Sequence, residues 1–388
     1  MDTLLAAFEQ RFGRAAAVFA AAPGRLEILG NHTDYNEGVV LSCAVDQRTA
    51  IALAPNGTRR ANIYDLRAQG GGSFELDDLA AQPTPKWLGY AAGVVSELRK
   101  RGAEAGGFDA VISSTVPLSA GMSSSAALET AILFALCAEF KLSFPKAELA
   151  RIGQGVENHY LGLKTGLLDQ FSSIFGVKGR MILSDFRTVE VVETVPLTPG
   201  CAILVVNSMR KHNLVDSEYN TRRAACESAA AKLARRYPEV RTLRDVSVAM
   251  LEAGRALLTD EEYRRALHVV GECERVVRAV AFLKSGKVEE FGALWWESHE
   301  SSRVNFENSA PELDFLVDCS HRLPGALGAR LSGGGFGGIS IHLVRETALA
   351  DYRAAIAEAF RKQYGVTPET IVCHPGSGAE SHAAPAHS

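Results

Sequence analysis

Ala126 to Glu139 (AALETAILFALCAE) is the most apolar helical run in the chain. A helix needs about 20 apolar residues to cross a bilayer. This run is too short and carries Glu129, so it predicts a buried core helix around which other layers must pack. The segment before it, Pro117-Leu118-Ser119-Ala120-Gly121-Met122-Ser123-Ser124-Ser125-Ala126, is a loop of small residues that opens directly into the helix. Unpaired N–H groups and the positive end of a helix dipole make an anion site there, and small side chains let a polyphosphate approach the backbone. A plain N-cap would need only one of the serines.

At 388 residues the chain exceeds the size at which one core usually keeps growing, so it is expected to form two lobes. The apolar fraction of 47% and charged fraction of 22% are those of an ordinary globular protein. The formal net charge is −4 and the basic residues are scattered, which predicts neither a nucleic-acid nor a membrane partner and favours a small molecule. A monomer is expected. The seven cysteines show no C-x-x-C spacing, which suits a reducing, cytoplasmic setting. The N-terminus MDTLLAAFEQRFGR lacks the pattern of a secretory signal.

Periodicity predicts an amphipathic helix at 2–13 and extended chain at 18–29 interrupted at Pro23-Gly24. Strands follow at 39–53 and 61–65, a helix at 87–98 and a strand at 108–113. A helix opened by Ser143 and Pro145 has an apolar stripe of Leu149, Ile152, Val156 and Tyr160, which leaves Glu157 free for other work. A strand at 200–206 begins a second lobe dominated by helices at 217–236, 260–284 and 287–304, with a final helix at 346–363. The expected division is 1–198, 199–375 and a disordered tail at 376–388.

Two further segments stand out. Leu331-Ser332-Gly333-Gly334-Gly335-Phe336-Gly337-Gly338 permits backbone conformations that side chains forbid, but lacks the spacing of a dinucleotide fingerprint, and no P-loop sequence is present. Gly24-Arg25-Leu26-Glu27-Ile28-Leu29-Gly30-Asn31-His32-Thr33-Asp34-Tyr35-Asn36 crowds hydrogen-bonding side chains as a polyol site requires; the alternative is an Asx-type turn bonded to its own backbone.

These three segments resemble the three signature motifs of the GHMP kinases, and Gly24 to Asn36 resembles the galactokinase signature G-R-[VI]-x-x-x-G-E-H-T-D-Y-N. Residues 155–176 (GVENHYLGLKTGLLDQFSSIFG), 207–227 (NSMRKHNLVDSEYNTRRAACE) and the segment ESHESSRVNFENSAPELDFLV resemble further family stretches, in collinear order. The resemblance implies a two-lobed α+β fold with the active site in the interlobe cleft, ATP and Mg2+ as cofactors, and phosphorylation of a sugar C1 hydroxyl. It implies a phosphate cradle at Ser119, Ala120, Gly121, Met122, Ser123, Ser124 and Ser125, braced by Gly335. Ser125 and Glu157 would hold the metal. Asp169 would be the catalytic carboxylate and Arg25 its cation. Asn31, His32, Asp34, Gly166 and Tyr219 would contact the sugar.

One departure bears on specificity: Asn31 stands where the signature has Glu, which in the family resembles an acceptor for the C6 hydroxyl. An uncharged amide there would accept galactose and could donate to a C6 carboxylate, making galacturonate an alternative substrate. Ser119-Ala120 replaces Gly-Gly, and Thr165 replaces a Cys. A non-catalytic ATP and sugar sensor is the reading from another class, and the presence of Arg25, Glu157 and Asp169 argues against it.

Overall fold

The computed structural model describes residues 1–80, 82–117, 121–210 and 215–385. Helix α1 (Asp2–Phe12) leads into strand β1 (Val18–Leu29), which is buried on both faces and pairs antiparallel with β2 (Val39–Pro55). The Pro23-Gly24 interruption is a register shift between Pro23 and Arg25, not a break, so the polar motif is carried on a continuous strand. Strands β3 (Arg60–Asp65) and β4 (Gly70–Glu75), helix α2 (Leu88–Lys100), strand β5 (Phe108–Ser114) and helices α3 (Ser124–Glu139), α4 (Lys146–Gly155) and α5 (Leu168–Phe175) follow. Strands β6 (Arg180–Asp185) and β7 (Glu190–Pro196) end this half.

The second half contains β8 (Cys201–Asn207), α6 (Val215–Leu233), α7 (Val248–Ala253), α8 (Asp260–Lys284), α9 (Val288–Ser301) and α10 (Pro311–Ser320). After them come β9 (Ala326–Ser332), β10 (Ile339–Arg345), α11 (Leu349–Tyr364) and β11 (Thr370–Cys373). The fold is mixed α+β, with the first sheet ordered β1-β2-β5-β3-β4, β6 and β7 branching from β2, and a four-stranded sheet ordered β11-β8-β10-β9.

Helix α3 is buried as its composition demands, packed with α2, α4 and α5 on the first sheet. A second apolar cluster joins Leu26, Ile28 and Leu41 of the first sheet to Val205, Trp295 and Ile341 of the other half. The two halves therefore share a core.

The chain end departs from the expected disordered tail at 376–388. Strand β12 (Glu380–Ala383) lies antiparallel along β1, with Val18 opposite Ala383 and Ala21 opposite Glu380. Backbone bonds from Gly376 to Ala44 and from Gly378 to Gly176 lead it there. Small polar residues that bury little surface are held by sheet pairing, a long-range contact that composition does not encode.

Candidate active site

The segment leading into α3 docks on β1 because position 24 has no side chain: a Cβ on Gly24 would lie 2.6 Å from the Met122 carbonyl. That carbonyl accepts the Arg25 backbone N–H at 3.1 Å. The Arg25 guanidinium donates from Nη1 to the Gly121 carbonyl at 2.6 Å and from Nε to Asp169 Oδ1 at 2.8 Å, with Nη2 also 2.7 Å from Oδ1. Asp169 lies in the first turn of α5, where it does not cap the helix; its Oδ2 accepts the Ser123 hydroxyl at 2.5 Å. Ser123 precedes α3 in the left-handed region, φ 56°, and its side chain makes no cap. Asp169 is thus positioned between a buried cation and the head of the core helix.

Beside it, Ser125 Oγ donates to Glu157 Oε1 at 3.0 Å. Glu157 Oε2 accepts from Thr165 Oγ1 at 2.7 Å and Gln170 Nε2 at 3.2 Å, and Gln170 also donates to the buried Glu129 at 2.7 Å. The helix carrying Glu157 widens into a π turn at Val156–Tyr160, which rotates the carboxylate inward, where it is buried. Burial, then the charge of Asp169, pushes the Glu157 carboxyl above the ordinary carboxylate range. The Thr165 hydroxyl therefore has a use the sequence did not suggest.

A cavity of about 200 Å³ brings Arg25, Asn31, His32, Asp34, Gly166, Asp169 and Tyr219 together. Asp34 fits because residue 166 is glycine: a Cβ there would sit 1.7 Å from Asp34 Oδ2. Burial raises the Asp34 carboxyl, opposed by the Tyr35 N–H and reinforced by Asp169. His32 has φ 60° and lies against Phe306 and Tyr219. Burial lowers its pKa to about 3, so the ring is neutral, donating from Nε2 to the Gly334 carbonyl at 3.2 Å and accepting the Tyr35 hydroxyl at Nδ1, 2.9 Å away. Asn31 is held by Glu27, Gly333 and Asn308.

The remaining expectations divide. Met122 is buried with its carbonyl occupied by Arg25, and Ser119 and Ala120 lie outside the described residues. Gly335, φ 84°, packs where a Cβ would meet the Asn308 carbonyl at 2.1 Å, and it is Gly333 and Gly334 that line the cavity. Sequence reasoning missed those two and also Glu27, Lys164, Thr165 and Asn220. Two-residue alternation along β1 was a signal for Glu27, since it puts Arg25 and Glu27 on one face.

The galactokinase galactose-binding signature matches residues 6–55, the GHMP kinases N-terminal domain residues 89–177 and the GHMP kinases C-terminal model residues 279–364. A galactokinase of Roseiflexus sp. (strain RS-1) is 37% identical over 371 residues, 96% of this chain and 94% of that protein. The chain belongs to the galactokinase family. The crystal structure of Lactococcus lactis galactokinase complexed with galactose superposes with a TM-score of 0.93 at 30% identity, covering 98% of this chain and 99% of that one. The fold is shared more distantly with Methanococcus jannaschii mevalonate kinase, TM-score 0.63 at 18% identity over 94% of this chain and 100% of that one. As a galactokinase-family enzyme the chain is an ATP-dependent sugar phosphotransferase with small-molecule substrates. The galacturonate alternative gains no support: both N–H bonds of the Asn31 amide, the donors it required, are given to Glu27 and Gly333. Among the described residues no helix is long and apolar enough to cross a membrane.

Proposed function

We propose that Asp169 and Arg25 carry the galactokinase reaction, transfer of the γ-phosphate of ATP to the C1 hydroxyl of galactose. The observation that supports this most is the Arg25–Asp169–Ser123 arrangement at the junction of the sugar cavity and the head of α3. Asp169 orients the attacking hydroxyl and takes its proton; Arg25 holds the carboxylate in place and adds positive charge near the transferred phosphate. The N–H groups at the head of α3 and the hydroxyls of Ser123 and Ser125 face the phosphates. Asp34 and Tyr219 hold the sugar, while His32 fixes the turn that shapes the cavity.

Ser125 and Glu157 are a hydroxyl and a carboxylate 3.0 Å apart, a hard-oxygen pair suited to Mg2+ held jointly with substrate phosphates. When bound, Mg2+ supplies charge neutralisation of the phosphates. All seven cysteines are free thiols, which supports a cytoplasmic enzyme, and we read it as a monomer. ADP release measured with a panel of hexoses tests the reading: galactose is expected to be turned over, and binding of galactose and ATP without ADP release would refute it.

A further inference from the structure

The Asn31 and His32 side chains, which line the sugar cavity, are already paired within the protein. The Asn31 amide donates to Glu27 Oε1 at 2.9 Å and to the Gly333 carbonyl at 2.8 Å, and its oxygen accepts from Asn308 at 3.0 Å. Both nitrogens of His32 are engaged as well. Glu27 differs. Its Oε1 takes Arg330 Nη2 at 2.9 Å and the Asn31 amide, whereas none of the described residues donates to Oε2. Glu27 is buried to 3% exposure and lines the cavity. Oε2 is therefore the oxygen left open to the cavity, where a sugar hydroxyl can donate to it.

Its place along β1 sets it away from the reacting end of the cavity. Arg25 and Glu27 leave the same face of the strand, roughly 7 Å apart at two residues' rise. Arg25 holds Asp169 at the reacting end, so Glu27 marks the end of the sugar remote from C1. The galactokinase signature puts a Glu at position 31, where this chain has an amide; the carboxylate stands four residues earlier, hydrogen-bonded to that amide. Arg330, fully buried, fixes it from behind through Glu27 Oε1 and the carbonyls of Glu27 and Ile28.

We propose that Glu27 is the specificity-determining residue of this chain's sugar pocket, its Oε2 accepting the C6 hydroxyl of galactose in place of the Glu that the signature carries at position 31. This rests on galactose being the substrate. A carboxylate at C6 would bring no donor to Oε2 and would set two carboxyl groups against each other, so galacturonate is disfavoured.

The test compares kcat/KM for galactose, 6-deoxygalactose and galacturonate. Wild type is expected to prefer galactose to 6-deoxygalactose by roughly 10- to 100-fold, the effect of a hydrogen bond to a charged group, and to reject galacturonate. Glu27→Gln is expected to lose a similar factor on galactose but little on 6-deoxygalactose. The exchanged variant Glu27→Asn/Asn31→Glu, which keeps one carboxylate and one amide in the pocket, is expected to retain the preference. Equal turnover of galactose and 6-deoxygalactose by wild type overturns the proposal without any variant, and so does Glu27→Gln with the preference intact or with both sugars slowed alike. Absence of galactose turnover by wild type would instead refute the galactokinase reading itself.

Discussion

The two ends of the active site are built in opposite ways. At the proposed phosphate end, hydroxyls donate to carboxylates: Ser123 to Asp169, which buried Arg25 also holds, and Ser125 to Glu157. At the sugar end, side chains are fixed by backbone and by buried charge brought from the other half of the molecule. Glu272 of α8 accepts the backbone N–H groups of Gly30 and Asn31, each at 2.8 Å, and its other oxygen takes Arg275 at 2.6 Å. Burial alone would raise Glu272, but Arg275 and Arg330 outweigh it and hold the carboxyl below the ordinary range. Charge neutralisation tolerates adjustment, whereas telling one hydroxyl from another needs fixed partners, and the molecule places its rigidity accordingly.

Substitutions should separate the two ends. Asp169→Asn is expected to lower kcat by about 10²- to 10⁴-fold with little change in galactose KM, read by steady-state ADP release; full activity would remove Asp169 from the mechanism. Gly166→Ala drives a methyl into Asp34, and because small misplacements at a reacting centre are costly, galactose KM should rise roughly 10- to 100-fold while ATP KM holds. Movement of both constants together would mean that the two ends are not separable.

Glu157→Gln should raise the Mg2+ needed for half-maximal rate by about tenfold, without altering galactose KM, if outer-partner and ligand effects follow their usual size. The pH dependence has a definite sign. The Glu157 carboxyl is raised by burial and by Asp169, so protons compete for it at higher pH than for an ordinary carboxylate, and the Mg2+ requirement should climb as pH falls. A requirement flat with pH would show that Glu157 does not bind the ion. The smallest effect is expected from deleting residues 379–388, which removes the β12 pairing: a fall in Tm of about 2 °C or more by differential scanning calorimetry, with kcat and both KM values unchanged.

The sequence was most legible where local rules suffice. Asp260–Lys284 was read from its periodicity alone, and the structure starts it with a capping box of Thr259 and Glu262; α3 was legible because its composition admits only burial. Among the elements that went unread are strands β4, β6, β7 and β11 and helices α5, α7 and α10, with β4 hidden by three consecutive glycines. Within the site, Arg25, Asp34, Gly166 and Asp169, which line one cavity, were carried over from the family resemblance. Glu27 was not, because its role depends on which atoms of Asn31 are already bonded, and Asn308 and Gly333 lie some 300 residues away in sequence. Glu157 was found for the wrong local reason: a regular helix would leave it off the apolar stripe, whereas the π turn buries it.

Strand β12 also sets the order in which the protein can be made. Its partner β1 is made some 360 residues earlier in the chain, so the edge of β1 from Val18 to Ala21 stays open until β12 emerges. Over that span the nascent chain displays an unpaired, Ala-rich strand edge, and that edge is where association between unfinished chains would begin.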